Sequence, residues 1–460
     1  MAFSSRFCLQ LATTVLVYLA GLALPAQAQF ETRATTTLPE GAYCIALGDF
    51  NNDGKPDLVV TDGDGFTVSL GNGDGTFQKY KFYSTQLSYY LAVGDFNNDG
   101  NQDIVVANLD PSTVDVYLGN GDGTFKPPIS TNTTVGSYFV AVGDFNNDKK
   151  ADLALIDPPY ISVLLGNGDG TFQPPSDNSS FVGSIWLALG DFNNDHHLDV
   201  LVTGSFGATY EIGVLLGNGD GILQDSIDTP VEYKPATIAA GDFNGDGKLD
   251  AVLGYFLGGI GVFIGNGNGT FQPAVNYDTT GLGGGYVVVS DLNLDGRLDL
   301  AVPSGPPALD VFWGKGDGTF QPAQGFASPV GGLPAVSDLN GDHLPDIVMA
   351  NGKYGTGTML NTGEVSFSPT TAPLNFTAPA ERTLTLRNTG AKALLIRSIK
   401  VSGIAFEVRD TCGGSVRTGA SCNINVLFKP PHSGSYTGLI TLIDSASSKP
   451  QFIELSGSGN

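Results

Sequence analysis

The sequence predicts an all-β chain, a β-propeller of seven blades followed by a smaller β-sandwich. Three observations predict it. A nine-residue motif, Asp-x-Asn-x-Asp-x-x-x-Asp, occurs in seven copies that start 46 to 51 residues apart. Each interval reads as four short strands separated by Gly-rich turns. The composition, with Gly 63 and Pro 26 in 460 residues and only 15% charged, suits many strands and tight turns rather than helices or disorder.

The copies are DFNNDGKPD from Asp49, DFNNDGNQD from Asp95, DFNNDKKAD from Asp144, DFNNDHHLD from Asp191, DFNGDGKLD from Asp242, DLNLDGRLD from Asp291 and DLNGDHLPD from Asp338. A second signature follows: LGNGDGTF from Leu70, Leu118 and Leu165, LGNGDGIL from Leu216, IGNGNGTF from Ile264 and WGKGDGTF from Trp313. The seventh, LNTGEVSF from Leu360, is degraded. In the first copy the expected strands are Cys44 to Leu47, Leu58 to Thr61, Phe66 to Leu70 and Phe77 to Phe82. Glycines between them supply positive φ without steric cost. Four antiparallel strands per repeat of this length is the pattern of a propeller blade.

The strand before each Asp loop carries Ala46, Ala92, Ala141, Ala188, Ala239, Val288 and Ala335 at one register and larger aliphatics such as Ile45, Leu91 and Val140 on the other face. Small residues recurring at one register suit a crowded axis, so this strand is placed innermost. Gln29-Phe30 and the Thr-rich stretch behind it precede the first Asp loop and are expected to supply the outer strand of the seventh blade, which would remove an open sheet edge. Val365 to Ser368 competes for that place.

The ends of the chain read differently. Residues 1–28, with Arg6, an apolar run from Leu9 to Leu24 and Ala26-Gln27-Ala28, have the form of an export signal. The expected division is residues 1–28 signal, 29–368 propeller, 369–373 linker and 374–460 sandwich. Export implies a secreted, extracellular or cell-surface location, the periplasm included, and an oxidising compartment. There Cys412 and Cys422, ten residues apart, are expected to pair and to leave Cys44 free. With 22 Lys+Arg against 46 Asp+Glu and a formal charge of -24, the chain lacks the basic face that nucleic acid requires. No apolar run after the signal is long enough for a membrane span.

The loops themselves point to calcium. Each offers carboxylates at positions 1, 5 and 9, an amide oxygen at 3 and a backbone carbonyl near 7, an oxygen-only set suited to a hard cation and unlike the His and Cys sets of zinc or copper. In order the sets are Asp49, Asn51, Asp53, Asp57; Asp95, Asn97, Asp99, Asp103; Asp144, Asn146, Asp148, Asp152; Asp191, Asn193, Asp195, Asp199; Asp242, Asn244, Asp246, Asp250; Asp291, Asn293, Asp295, Asp299; and Asp338, Asn340, Asp342, Asp346. Position 12, where an EF-hand has Glu, is apolar throughout, from Val60 to Met349, so the chain has already entered a strand. The competing reading is that Asp and Asn only shape turns. Up to seven Ca²⁺ would bring the formal charge of -24 to about -10 and relieve carboxylate repulsion. Position 6 is Gly54, Gly100, Gly247 and Gly296 in four copies but Lys149, His196 and His343 in three. A non-Gly residue there costs about 1 kcal/mol, which predicts weaker calcium binding in those loops.

Asp-Phe-Asn-x-Asp-Gly-x-x-Asp followed by Gly-Asn-Gly-Asp-Gly-Thr-Phe resembles the FG-GAP/VCBS repeat family, which includes the propellers of integrin α chains and many secreted bacterial proteins. The resemblance runs from about Phe30 to Ser368 and implies a calcium-binding propeller that serves adhesion or ligand binding. After Ser368 the period stops, and alternating strands at Thr383 to Arg387, Leu394 to Val401, Phe406 to Arg409, Ser421 to Phe428, Gly438 to Leu442 and Phe452 to Leu455 suggest an immunoglobulin-like sandwich. The run from Cys412 to Cys422, with Val426 to Pro430 and the ending Glu454-Leu-Ser-Gly-Ser-Gly459, resembles the choice-of-anchor D or HYDIN/ASPM-like domains. That resemblance implies a spacer or surface-association module.

Aromatics gather before the Asp loops: Tyr43, Tyr89, Tyr90, Tyr138, Phe139, Trp186 and Tyr286. They are candidates for stacking on sugar rings or anchoring a protein, or else pack between blades. The four His, at 196, 197, 343 and 432, form no nucleophile and base motif, and the regularly spaced carboxylates are committed to the loops. The sequence therefore favours a non-catalytic adhesion protein with an extracellular glycan or surface protein as partner. The alternative is an extracellular polysaccharide lyase or hydrolase on a propeller scaffold.

Overall fold

The computed structural model describes residues 30–32, 42–178, 186–206, 209–281, 285–305, 308–328, 330–351, 355–361, 365–368, 374–388, 394–417, 419–444 and 451–459. The expected signal segment lies outside them. The described elements are all β-strands. The chain divides into two compact units, and Val365 opens the second.

In the first unit each Asp loop joins the first two strands of a meander. Cys44–Gly48 pairs with Asp57–Thr61, which pairs with Gly63–Ser69 and then with Lys81–Gly94. The last of these is a single strand that leaves the first sheet and enters the second, where it pairs with Asp103–Asp110. The fourth strand was expected from Phe77. Instead Phe77 forms only an isolated bridge to Gly71 at the mouth of the Gly turn, where it is buried, and continuous pairing resumes at Lys81.

The third to sixth copies form separate four-stranded sheets in chain order. The seventh is completed by Phe30–Thr32, which pairs antiparallel with Gly355–Asn361, so the outer place falls to the N-terminal strand. Val365–Ser368 does not compete for it, because this segment pairs with Ala380–Asn388 in the second unit. The boundary therefore falls before Val365 rather than after Ser368.

The core lies between sheets. Phe50, Val59 and Phe66 of the first copy pack with Leu91, Ile104, Val106 and Tyr117 of the second. Equivalent clusters join each next pair, and Leu58, Val60 and Phe77 pack with Leu339, Val348, Ala350 and Leu360 of the seventh copy. Position 2 of each loop inserts a buried Phe or Leu, from Phe50 at 1% exposed to Leu339 at 3%. Each such burial contributes about 2 kcal/mol. The first strands run beside one another in succession, and Cys44–Gly48 also contacts Leu333–Ser337 of the seventh copy. The first unit is a β-propeller.

The second unit has two sheets. One orders Val365–Ser368, Ala380–Asn388, Ser421–Phe428 and Phe406–Asp410; the other orders Leu374–Phe376, Gln451–Gly459, Gly434–Asp444, Leu394–Ser402 and Ser415–Val416. Phe376, Leu386, Phe406, Val426, Phe428, Ile440 and Leu455 fill the core. Cys412 and Cys422 form a disulfide with an S–S distance of 2.08 Å. Cys44 is the free thiol among the described residues, and burial pushes it up to about 11.

Candidate metal loops and the aromatic face

Each Asp loop is turned by two left-handed residues. Position 6 was expected to need one, and Gly54 (φ 78°), Lys149 (65°), His196 (68°) and His343 (68°) confirm that geometry. Position 4 is the second: Asn52 (56°), Asn98 (56°), Asn147 (59°), Asn194 (62°), Gly245 (72°), Leu294 (54°) and Gly341 (76°). Asn and Gly recur there because they tolerate this region best. That recurrence was the sequence signal for it, and Leu294 is the exception.

The side chains at positions 1, 3 and 5 fold back onto loop amides. Asp53 N–H donates to Asp49 Oδ1 and to Asn51 Oδ1, each at 3.1 Å, and Gly54 N–H donates to Asp49 Oδ2 at 2.8 Å. Lys55 N–H donates to Asp53 Oδ1 at 3.0 Å. The same bonds recur from Asp95 to Asp338. Oxygens at positions 1 and 3 thus converge on one nitrogen while keeping lone pairs.

The position 9 carboxylate does something else. Asp57, fully buried, accepts from Phe50 N–H at 2.9 Å and from Gly71 N–H at 2.7 Å, so it ties the Asp loop to the Gly turn that follows the third strand. Asp103, Asp152, Asp199, Asp250, Asp299 and Asp346 are equally buried and make the corresponding pairs. Burial raises all seven, Asp199 to about 6, Asp346 to about 7, Asp299 to about 8 and the other four above the ordinary carboxylate range. At the exposed position 5, the Asn101 amide is the leading influence that holds the Asp99 carboxyl below the ordinary range.

Among the described residues no group of three or more His, Cys, Asp and Glu is arranged to hold a metal ion. The donor chemistry still fits a hard cation. Every side chain at positions 1, 3, 5 and 9 offers oxygen, three of the four are carboxyl groups, and each oxygen accepting one amide retains a further lone pair. A calcium ion bound there would supply the positive charge that the crowded carboxylates lack.

A further set of bonds joins neighbouring repeats. The carbonyl of position 2 accepts from the Gly turn of the next copy: Gly123 N–H to Phe50 O at 2.9 Å, Gly170 to Phe96 at 2.9 Å, Gly221 to Phe145 at 3.2 Å, Gly269 to Phe192 at 3.0 Å and Gly318 to Phe243 at 3.0 Å. Gly75 N–H reaches Leu339 O of the seventh copy at 3.2 Å. In the degraded seventh turn, Asn361 Nδ2–H donates instead to Leu292 O at 2.6 Å.

The aromatic candidates lie at the far end of the first strands. Cys44 pairs with Thr61 at one end and Gly48 with Asp57 at the loop end. Tyr90, Phe139 and Trp186 are mutually 4.9 to 5.5 Å apart by ring centroid, and Trp186 reaches Tyr286 at 5.7 Å. All four are half-buried and pack on one another. Tyr43 and Tyr89 form a separate edge-on pair at 4.6 Å, with Tyr43 44% exposed, and Tyr138 is 47% exposed. Sequence reasoning missed Tyr233 and Phe256, also exposed. Phe256 follows the second strand of the fifth copy, where the signal was the apolar pair Phe256-Leu257 before two glycines. Lys234 Nζ lies 4.9 Å from the Phe256 ring centre and Tyr233 packs on Tyr255 at 5.2 Å. His196, His197 and His343 lie in Asp loops, with His196 Nδ1 3.8 Å from Asp191.

Five segments, residues 49–106, 95–155, 144–202, 242–302 and 291–349, match the FG-GAP-like repeat. The chain belongs to this family. All seven Asp loops fall within the matched segments of the FG-GAP chain. Residues 374–458 match the HYDIN/CFA65/VesB-like, Ig-like domain, so the second unit is Ig-like. No curated relative matches the chain by sequence. Among solved structures, the FG-GAP chain is similar to BBS1N crystallised in complex with ARL6DN, at 11% identity and TM-score 0.52 over 72% of this chain and 96% of that one. It is also similar to an Agrocybe aegerita lectin described as recognising non-reducing terminal N-acetylglucosamine, at 21% identity and TM-score 0.46 over 64% of this chain and 81% of that one.

Proposed function

We propose that this FG-GAP chain is an exported, calcium-loaded propeller of seven blades that acts as a non-catalytic binding module for an extracellular glycan or surface protein. Seven blades are supported by the seven Asp loops, each between paired strands, and by the apolar clusters that run from each copy to the next and from the seventh to the first. Calcium is supported by the oxygen-only loops.

The binding reading rests chiefly on one observation. Tyr43 and Tyr138 are exposed, and with the half-buried cluster of Tyr90, Phe139, Trp186 and Tyr286 they belong to the ends of the first strands opposite the Asp loops. A ring such as Tyr43, held at one edge by Tyr89 and open at the other, loses little entropy when it stacks on a sugar face or enters a protein pocket.

The test is a screen of the mature protein against glycans and matrix proteins, with calcium and with chelator, alongside polysaccharide depolymerisation. Binding that is lost on Tyr138→Ala, without turnover, supports the proposal. Turnover of a polysaccharide would replace it with the enzymatic alternative.

A further inference from the structure

In six of the seven repeats the link to the neighbouring Asp loop is made by main-chain glycine. The seventh differs. Its turn has lost the Gly-Asn-Gly-Asp-Gly signature, and a single buried residue, Asn361, takes both of the turn's tasks. Its N–H donates to Asp346 Oδ1 at 2.7 Å, as Gly71 does to Asp57. Its side-chain amide donates to Leu292 O at 2.6 Å and to Pro345 O at 3.2 Å.

Leu292 stands between two residues of the sixth loop's donor set, Asp291 and Asn293. Its own N–H is fixed by Asp299 Oδ2 at 3.0 Å. The peptide groups of this buried residue are therefore held at both ends, the N–H by a donor residue of the loop and the carbonyl by Asn361. Without Asn361 the carbonyl would be buried and unpaired, and it would turn toward another donor and carry Asn293 with it. Pro345 immediately precedes Asp346, the last donor of the seventh loop. The same amide therefore braces both loops.

We propose that Asn361 is a positioning residue for calcium at the sixth and seventh loops, acting through the Leu292 and Pro345 carbonyls without itself being a ligand. This rests on the calcium reading of the loops.

The experiment is calorimetric calcium titration of the full mature chain and of Asn361→Ala and Asn361→Gly. Gly is the residue that six other copies carry at this place, which guards against a variant that fails to fold. Asn388→Ala, which removes a buried side-chain bond to Val416 O in the second unit, serves as a stability control. Each lost hydrogen bond is expected to weaken calcium binding roughly two- to tenfold at two sites, leaving the other sites unchanged. Asn388→Ala is expected to lower the melting temperature without changing the titration. If the wild type binds calcium and both Asn361 variants titrate identically to it, the positioning role is wrong. If the wild type takes up no calcium, the reading beneath it fails instead.

Discussion

The amide of Gly75 donates to the carbonyl of Leu339 at 3.2 Å, joining the first repeat to the seventh, 264 positions later in the chain. Gly75 is left-handed at φ 82°, and a Cβ there would meet Leu360 Cδ2 at 2.6 Å. Gly54 is left-handed at φ 78° with nothing within 4 Å of its Cβ direction. Gly54→Ala should therefore cost only the backbone term, about 1 kcal/mol. Gly75→Ala should cost clearly more, about 2 to 4 kcal/mol, because it adds a clash at the joint. Urea unfolding of both variants checks the order, and equal losses would contradict a role for the joint.

Leu294 is the one side chain at position 4 that is neither Asn nor Gly, held at φ 54°. Leu294→Gly removes strain of about 1 kcal/mol, partly offset by the greater freedom of glycine in the unfolded chain. The expected result is a small rise in melting temperature. Asn52→Leu, which introduces the same strain in the first loop and also removes the bond from Asn52 Nδ2 to Asn101, should lower it.

Much of this was legible from residue spacing. The seven loops, the first strands and the Ig-like strand Ser421–Phe428 sit where periodicity placed them, because burial on one face imposes a period that survives in the sequence. The left-handed position 4 was visible as recurring Asn and Gly but was not read. Two features were not legible. The bond from Gly123 to Phe50 is made by main-chain atoms between repeats and leaves no side-chain trace. The division of aromatics into the packed set around Trp186 and the exposed Tyr43 and Tyr138 depends on which way each ring turns at the axis, which a one-dimensional pattern does not carry.

Position 6 offers a direct comparison among loops of one chain. Lys149, His196 and His343 adopt φ of 65° to 68°, where Gly is unstrained. Replacing each by Gly should tighten calcium at its own loop by roughly fivefold, the equivalent of about 1 kcal/mol. Calorimetry on single variants reads this out. No change in any of the three would show that the strain is already carried by the calcium-free folded loop and is not taken on at binding.

The buried position 9 carboxylates set a pH dependence. Burial lifts Asp199, Asp346 and Asp299 to about 6, 7 and 8 in the folded chain, above the ordinary carboxylate value of about 4. Without calcium the folded chain holds more protons than the unfolded one across this range. The stability they contribute is complete below about pH 4 and is lost as pH rises through 6 to 8. In chelator the melting temperature should fall from pH 5 to pH 8, and calcium should flatten that fall by stabilising the ionised forms. A calcium-free melting temperature that rises over the same interval would contradict the burial argument.

The central claim is that the seven Asp loops are calcium staples of the propeller. It is tested most directly by the melting temperature of the mature protein with calcium and with excess chelator at neutral pH. Each site that binds only the folded state contributes about 2.7 kcal/mol when calcium is a hundredfold above its dissociation constant. The account predicts a large drop on chelation, reversed by adding calcium back. An unchanged melting temperature would mean that the Asp and Asn side chains only shape the turns they occupy.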